Sequence, residues 1–210
     1  MATAEEHLTA RRRDILAAAE KVFNASGYAA TTIDAVAAEA GIAKGSVYNY
    51  FRSKKELFLQ VFEQVNHKNR EILSWLERDD LPAREKIERL LDDWFDRHAE
   101  MRRTGRLMME FWTTAAGEDQ GELSEFFKKT YHGWHELLAR VVREGIEHGE
   151  FSSDTNDDVA GSLLMAVLHG LQLHSILDVG LKLDAEFVAS MKRGVLAALV
   201  KPGAATDGGV

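Results

Sequence analysis

At 210 residues the chain is long enough to bury a sizeable core, and its 45% hydrophobic and 29% charged residues are typical of a globular protein. It contains no cysteine, which excludes disulfides and thiolate metal ligands. Its net charge of −8 argues against general binding to nucleic acid, but residues 1–60 hold 8 basic and 7 acidic residues whereas the remainder holds 18 and 27. We therefore expect the N-terminal part to have a different partner from the acidic body.

Neither a membrane span nor a targeting segment is predicted from the hydropathy of the chain. No uninterrupted apolar run approaches the roughly 20 residues that cross a bilayer. Charged residues also interrupt the N-terminal sequence too early for the apolar core of a signal peptide. We expect a cytoplasmic protein without a membrane partner.

Apolar residues recur at helical spacing along the chain, so the predicted fold is all-α with about nine helices. The first helix carries an apolar stripe from Ile15 to Phe23, and Gly27 ends it. Thr31 or Thr32 can cap a short second helix, TIDAVAAEA.

Gly41 stops the second helix, and a third begins near Lys44. Ser53 caps a longer fourth helix, with Glu56 at the third position of a capping box. Five further helices are predicted near residues 83–103, 105–116, 122–148, 155–178 and 184–200, and Gly105 is predicted to break the first of them from the second. The expected organisation is a DNA-binding domain at 1–55, a larger helical ligand-binding and dimerisation domain at 56–202 and a disordered tail at 203–210.

Two short helices joined by a glycine turn, TIDAVAAEA and KGSVYNYF, have the spacing of a helix-turn-helix. Their apolar residues can form a small shared core: Val36, Ala37, Ala40, Ile42, Val47 and Phe51. The outward face of the second helix then combines a cation, a bare backbone and hydrogen-bonding side chains: Lys44, Gly45, Ser46, Tyr48, Asn49 and Tyr50. Such a set suits a recognition helix in the major groove, whereas the alternative is two ordinary short helices with packed tyrosines and solvated lysines.

The stretch TTIDAVAAEAGIAKGSVYNYFRSKKELF resembles the DNA-binding motif of the TetR family of bacterial transcriptional regulators. The shared elements are the Thr-Thr start, the AG turn, the K-G-x-x-Y-x-Y-F helix and the S-K-x-x-L opening of the fourth helix. The resemblance covers positions 9–60, and the rest of the chain is similar only in architecture. It implies groove-facing residues, Lys44, Gly45, Ser46 and Asn49, and phosphate contacts, Thr32, Tyr48, Tyr50 and Lys54.

Two positions depart from the family's pattern. Ala43 stands where the family often has serine, so the recognition helix is expected to lack its side-chain cap. Ile33 stands where some members have a polar residue that contacts bases, so base readout is expected to rest almost wholly on residues 44–50.

The segment DVAGSLLMAVLHGLQLHSILD is apolar nearly all round, and such a helix must be covered. Two coverings are open, the core of its own chain and a second copy, and the resemblance implies a four-helix bundle between two copies. The residues predicted for this dimer interface are Gly161, Leu164, Leu168, Leu171, Phe187, Met191 and Val195.

Large adaptable side chains are concentrated in the middle helices, as in pockets for small apolar molecules, although each could equally be a core residue. The resemblance implies an effector pocket, and the predicted lining is Trp94, His98, Met101, Met108, Phe111, Trp112, Tyr131, Trp134, His135, Met165 and His169. His132 and His135 are spaced i, i+3, and His169 and His174 i, i+5, but a third ligand is missing. Neither a metal site nor a cofactor is predicted.

Three classes of function were weighed. A homodimeric repressor, released from a palindromic DNA operator by a small apolar or amphipathic effector, is favoured, with a ligand-dependent activator as an alternative. An enzyme is not predicted because the chain has no nucleophile elbow, phosphate loop, zinc motif or cysteine. A sequence-neutral DNA binder would need a broad basic surface, which the acidic body contradicts.

Overall fold

A computed structural model of the chain describes residues 4–78, 80–115, 121–180 and 183–199. All of the regular structure in these ranges is helical, as predicted, and one of the nine helices is a 3₁₀ helix, Ser74–Glu77. The eight α-helices are α1 Ala4–Ala30, α2 Ile33–Glu39, α3 Lys44–Tyr48, α4 Lys54–Ile72, α5 Ala83–Ala115, α6 Glu122–Glu147, α7 Asp157–Leu177 and α8 Ala185–Ala197. The predicted disordered tail at 203–210 lies outside the described residues.

Two glycines that were both predicted to end helices behave differently. Gly27 interrupts α1 with a φ of 78° and a ψ of 166°, a conformation that side-chain-bearing residues rarely adopt. The predicted break at Gly105 is wrong, because α5 runs through this buried glycine with a negative φ. A glycine costs a helix only about 1 kcal/mol relative to alanine, which tertiary packing readily offsets.

The chain divides into two compact units, the first formed by residues 1–72 and 103–125 and the second by residues 73–102 and 126–210. The first unit is larger than the predicted domain at 1–55, since it includes all of α4. Its core is aromatic: the Phe58 ring lies edge-on to Phe23, with centroids 5.0 Å apart, and the Phe111 ring stacks on Phe62 at 3.5 Å.

The second unit has a larger aliphatic core, to which α5, α6 and α7 contribute buried residues such as Ile87, Val141 and Leu164. Outside the helices, Phe151 closes this core by lying directly over Gly145. A Cβ atom on Gly145 would come within 2.3 Å of the Phe151 ring, so only glycine fits there.

Charged side chains fix the N-terminus of α5 within the second unit. The carboxylate of Glu150 accepts hydrogen bonds from the backbone N–H groups of Ala83 and Arg84, at 3.0 and 2.9 Å. Lys86 is fully buried, and its ammonium lies 2.7 Å from Glu144. Because a buried lysine is costly unless it is paired, this ion pair is a structural link between α5 and α6.

Helix α7 is apolar enough and long enough to cross a membrane by those two criteria, and it is the one such helix in the described part of the chain. Within the second unit, however, it has a packed side and an open side. Leu164, Met165 and Leu171 are buried in the cores of the unit, whereas Val159 and Leu163 are more than half exposed.

Candidate nucleic-acid interface

The first unit contains the predicted helix-turn-helix, with α2 and α3 joined by a turn at residues 40–43. Gly41 has a φ of 65°, which a glycine adopts without strain. The turn is closed by backbone hydrogen bonds that satisfy the end of α2, from Gly41 N to Ala38 O at 3.1 Å and from Ile42 N to Ala37 O at 3.0 Å. The glycine was therefore predictable from the sequence, because the turn needs its positive φ.

The helix-turn-helix has a small buried core that orients α3. Val36 and Val47 are fully buried, and Ala37 and Phe51 nearly so. Ala40 and Ile42, also predicted for this core, are only half-buried.

With Val47 turned inward, α3 presents its other residues outward. Lys44, Gly45, Tyr48 and Asn49 are exposed, whereas Ser46 and Tyr50 are half-buried. A Cβ atom on Gly45 would meet nothing within 4 Å, so the backbone is open to close approach. The structure thus brings the predicted recognition residues onto one surface, and their contacts with DNA stay predictions.

The hydroxyl groups at the start of α2 have structural roles. Thr32 is the N-cap, and its Oγ1 accepts a hydrogen bond from the Ala35 N–H at 3.1 Å. Its hydroxyl proton stays available to a phosphate, since a capping hydroxyl can accept and donate at once. The Thr31 hydroxyl donates instead to the carbonyl of Gly27, at 2.7 Å. By contrast the N-cap of α3 is Ala43, which makes no side-chain capping hydrogen bond, as the sequence predicted.

Lys54, predicted as a phosphate contact, has protein partners in this structure. Its ammonium donates to the carbonyl oxygens of Tyr28, Ala29 and Thr31, at 2.8, 3.3 and 3.0 Å. These three bonds use all three donors of the ammonium. Lys54 therefore caps the C-terminal end of α1 in this structure, and its contact with a phosphate stays a prediction.

The start of α4 is closed much as the capping-box pattern predicts. Ser53 Oγ accepts from the Glu56 N–H at 3.0 Å, while the Glu56 carboxylate accepts from the Arg52 N–H at 2.7 Å. The carboxylate thus reaches one residue further back than in a standard box. Arg12 joins α1 to this region through Gln60, at 2.6 Å, with its guanidinium 5.3 Å from the Phe51 ring centroid.

Sequence reasoning missed the partner of Lys44. Its ammonium lies 2.7 Å from a carboxylate oxygen of Asp34, the second residue of α2. This hydrogen bond and the charge of Asp34 raise the pKa of Lys44 above its ordinary value. The pair could have been predicted because two helices joined by a tight turn carry opposite charges at their N-terminal ends, Asp34 on α2 and Lys44 on α3.

The predicted effector residues are divided between the two units. In the first, Phe111 is fully buried in the aromatic core, and Met108 and Trp112 are half-buried. In the second, Trp94 and Met165 are buried, and Tyr131 and Trp134 pack against the aliphatic core. The side chain of Met101 lies outside the described residues.

Three histidines of the predicted effector set have defined partners within the second unit. His98 Nδ1 lies 2.6 Å from the Phe95 carbonyl oxygen. His135 Nε2 lies 3.0 Å from Ser162 Oγ, which ties α6 to α7. His169 stacks on the Tyr131 ring at 5.9 Å, and burial lowers the pKa of its imidazole. No group of three His, Asp or Glu residues is placed to hold a metal in the described ranges.

A cavity of about 820 Å³ lies in the second unit between α5 and α8. Its walls carry both charged and apolar side chains, including Asp92, Phe95, Val188 and Lys192. The ammonium of Lys192 bonds to Asp92 at 2.7 Å, so the central charges neutralise one another. Among the described residues, none of the predicted effector set lines this cavity.

The residues predicted for the dimer interface all have contacts within the second unit, where three are buried and four are half-buried. Three of them, Gly161, Leu164 and Leu171, are buried. Leu168 and Val195 pack against the aliphatic core. Phe187 and Met191 pack against a second cluster, formed by Trp94, Phe95 and Leu171. Their contact with a second copy stays a prediction. Helix α7 has apolar residues on two sides, and helical periodicity does not say which side the chain itself covers. The open side carries Val159 and Leu163, with Leu177 and Val179 at and beyond its end, each 53–60% exposed.

Comparison with protein families decides the class of the molecule. Residues 15–61 match the model described as bacterial regulatory proteins, tetR family, and residues 83–201 match the model described as BetI-type transcriptional repressor, C-terminal. The chain belongs to the TetR family. It is accordingly a DNA-binding transcriptional regulator, a non-enzymatic class.

Individual relatives of this TetR-family chain include a transcriptional regulator and a receptor protein. It is 30% identical over 149 residues to the HTH-type regulator YfiR of Bacillus subtilis, covering 70% of this chain and 71% of the relative. It is 26% identical to the A-factor receptor protein of Streptomyces griseus over 193 residues, which cover 91% of this chain and 64% of that protein.

Two solved structures have the same fold. A protein from Saccharomonospora viridis in complex with choline has a TM-score of 0.79 at 20% identity, covering 92% of this chain and 99% of the other. FadR from Bacillus subtilis in complex with stearoyl-CoA has a TM-score of 0.70 at 21% identity, covering 90% and 97%. At these identities the likeness shows the fold alone.

Proposed function

We propose that this TetR-family regulator is a cytoplasmic homodimeric repressor that leaves a palindromic operator when a small apolar or amphipathic effector binds. The observation that carries the proposal is the match of residues 83–201 to the C-terminal part of BetI-type transcriptional repressors. It favours repression over the alternative of ligand-dependent activation.

The homodimer is supported by the open side of α7. Val159, Leu163 and Leu177 recur there at spacings of 4 and 14 residues, which places them along one stripe of a helix. Ala166 and Gly170, which are small, lie on the same stripe and allow close approach of a second helix. Exposed apolar stripes of this kind mark contact surfaces, and a two-fold dimer would bury the same stripe of each copy.

The palindromic operator follows from the dimer. A single helix-turn-helix contacts few base pairs, so a symmetric pair of units reads two half-sites about 34–36 Å apart or a multiple of that distance. The exposed Lys44, Gly45, Tyr48 and Asn49 would face each half-site. The net charge of −8 also disfavours the sequence-neutral alternative, because binding by charge alone needs a broad basic surface.

The effector class is proposed from relatives and from the composition of the body. Choline and stearoyl-CoA, bound to two proteins of the same fold, both combine a polar group with apolar carbon. The half-buried side chains of Tyr131, Trp134 and His169 would suit such a molecule, since aromatic side chains bind both apolar chains and quaternary ammonium groups.

Two linked experiments test the proposal. Selection from a library of randomised DNA duplexes with the purified protein should enrich a palindromic sequence, called here the selected site. Binding to the selected site is then measured with added choline and with added stearoyl-CoA. Release by either compound supports the effector class. Release by neither, from a protein that binds the selected site, would contradict this class while leaving the DNA-binding function intact.

A further inference from the structure

An ion pair connects the two helices of the helix-turn-helix at their N-terminal ends. Asp34 is the second residue of α2 and Lys44 the first of α3, and their charged groups lie 2.7 Å apart. Both side chains are on the surface, with 65% of Asp34 and 51% of Lys44 exposed. The carboxylate thus lies on the surface that carries the predicted recognition residues.

The stability of the fold does not account for this pair. Ion pairs between exposed side chains contribute about 0–1 kcal/mol, because water screens the charges and both side chains lose freedom. The helix-turn-helix is already held by its buried residues Val36, Val47 and Phe51. The pair instead holds a donor group, the Lys44 ammonium, beside an acceptor group, the Asp34 carboxylate, on the outer surface.

That arrangement matches the major-groove edge of a G·C base pair. Guanine presents two acceptors there, N7 and O6, and cytosine presents the adjacent N4 amino donor. One N–H of Lys44 is bonded to Asp34, which leaves two donors for the guanine. The bond uses Oδ2 of Asp34, so Oδ1 is available to accept from the cytosine amino group.

An A·T pair fits the couple less well. Its edge runs from the N7 acceptor and N6 donor of adenine to the O4 acceptor and methyl group of thymine. The second N–H of Lys44 would lose its acceptor at O6, and the carboxylate of Asp34 would face O4, which is also an acceptor and offers it no proton. Discrimination against A·T would therefore come from both residues.

We propose that Asp34 and Lys44 act together to read one G·C base pair in each half-site. The proposal rests on the proposed function, sequence-specific DNA binding through α3. It adds α2 to the surface that reads the bases, whereas the sequence predicted that base readout rests almost wholly on residues 44–50. Asp34 is then a specificity-determining residue that also positions the ammonium of Lys44.

The test is selection from a library of randomised duplexes with four purified full-length proteins: wild type, Asp34→Ala, Lys44→Ala and Glu39→Ala. Glu39→Ala is the matched control, because it breaks another exposed pair of the same unit, Lys21–Glu39 at 3.1 Å, which does not involve α3. Wild type should enrich one G·C pair at a fixed position of each half-site. Both Asp34→Ala and Lys44→Ala should reduce that preference by about 5- to 150-fold, whereas Glu39→Ala should keep it.

Circular dichroism establishes that each variant is folded, and Asp34→Leu, which removes both the charge and the acceptor oxygens, replaces Asp34→Ala if the latter unfolds. Unchanged base frequencies in the Asp34 variant overturn the proposal, as does a change of affinity that is uniform over all sequences. If wild type enriches no sequence at all, the proposed function fails and this inference fails with it. If wild type enriches the G·C pair and the Asp34 variant enriches it equally, only the inference about Asp34 and Lys44 is overturned, and the proposed function stands.

Discussion

The ammonium of Lys54 lies 2.8 Å from the carbonyl oxygen of Tyr28 and 4.6 Å from the centroid of the ring of the same residue. Lys54 thus meets the end of α1 through both a hydrogen bond and a cation–π contact. The same ammonium also bonds to the carbonyls of Ala29 and Thr31. One side chain at the start of α4 therefore fixes the segment between α1 and α2, from which the helix-turn-helix begins.

Replacing Lys54 with alanine should destabilise the first unit. It removes the partner of three carbonyl groups, and we expect the free energy of unfolding to fall by about 1–3 kcal/mol in urea denaturation followed by circular dichroism. Lys55→Ala removes the same charge from the neighbouring position and serves as the control. If Lys54 acts through the fold, the salt dependence of binding to the selected site should keep its wild-type slope. The opposite result would be a Lys54→Ala protein that is as stable as wild type but whose slope of log affinity against log salt concentration falls in magnitude by about one. That result would identify Lys54 as a phosphate contact.

The open side of α7 gives a prediction about assembly. Leu163 is 57% exposed, and in a symmetric dimer a charge at this position would be buried twice. Leu163→Glu should raise the dissociation constant of the dimer by more than about 30-fold, measured by analytical ultracentrifugation. Leu8→Glu places the same charge on an apolar residue of α1 that is 56% exposed, and should leave the assembly unchanged. A Leu163→Glu protein that dimerises like wild type would refute the placing of the interface on this stripe.

Close packing at Gly145 predicts that even a glycine-to-alanine replacement at this position destabilises the protein. A methyl group there would overlap the ring of Phe151, which is itself buried. We expect Gly145→Ala to lower the free energy of unfolding by about 1–3 kcal/mol, measured in urea at a fixed protein concentration. Gly194→Ala in α8 is the control, because its Cβ would meet nothing within 4 Å, and alanine there should be neutral or stabilising by up to about 1 kcal/mol. Equal stabilities of the two variants would show that Phe151 moves aside at little cost.

Burial of His169 predicts a pH dependence of stability. Desolvation lowers the pKa of this imidazole in the folded state below its ordinary value of about 6.5. The unfolded chain therefore binds the proton more readily, so stability is full above about pH 6.5 and declines as the pH falls through the depressed folded value. Urea denaturation at about pH 7.5 and pH 5.5 should show a smaller loss for His169→Gln than for wild type. His174→Gln, at an exposed position of the same helix, should retain the wild-type loss. Identical losses in all three proteins would exclude His169 as the source.

The parts of this protein that were predictable from sequence are those fixed by local backbone chemistry. The cap by Thr32, the positive φ of Gly41 and the inward Val47 all follow from spacing within a few residues. The partners of Lys54 and Lys44 were missed because they are tertiary contacts, made 23–26 and 10 residues away along the chain.

The side of α7 that packs within its own chain was not predictable for a different reason. Leu163 and Leu164 are equally apolar neighbours that point in different directions around the helix, and only the structure distinguishes the buried one from the exposed one. Similarly, Gly105 has no local signature that separates a tolerated helix glycine from a terminating one such as Gly27. What distinguishes them is the backbone conformation that the surrounding packing imposes.

Footprinting of the purified protein on the selected site, beside a Tyr50→Ala variant, tests most directly whether the helix-turn-helix of a symmetric dimer reads DNA. Two protected segments related by two-fold symmetry are predicted, with centres about 34–36 Å apart along the duplex or a multiple of that distance. The variant should lose both segments together while its circular dichroism spectrum stays helical. A single protected segment, or uniform protection of any DNA offered, would contradict the account.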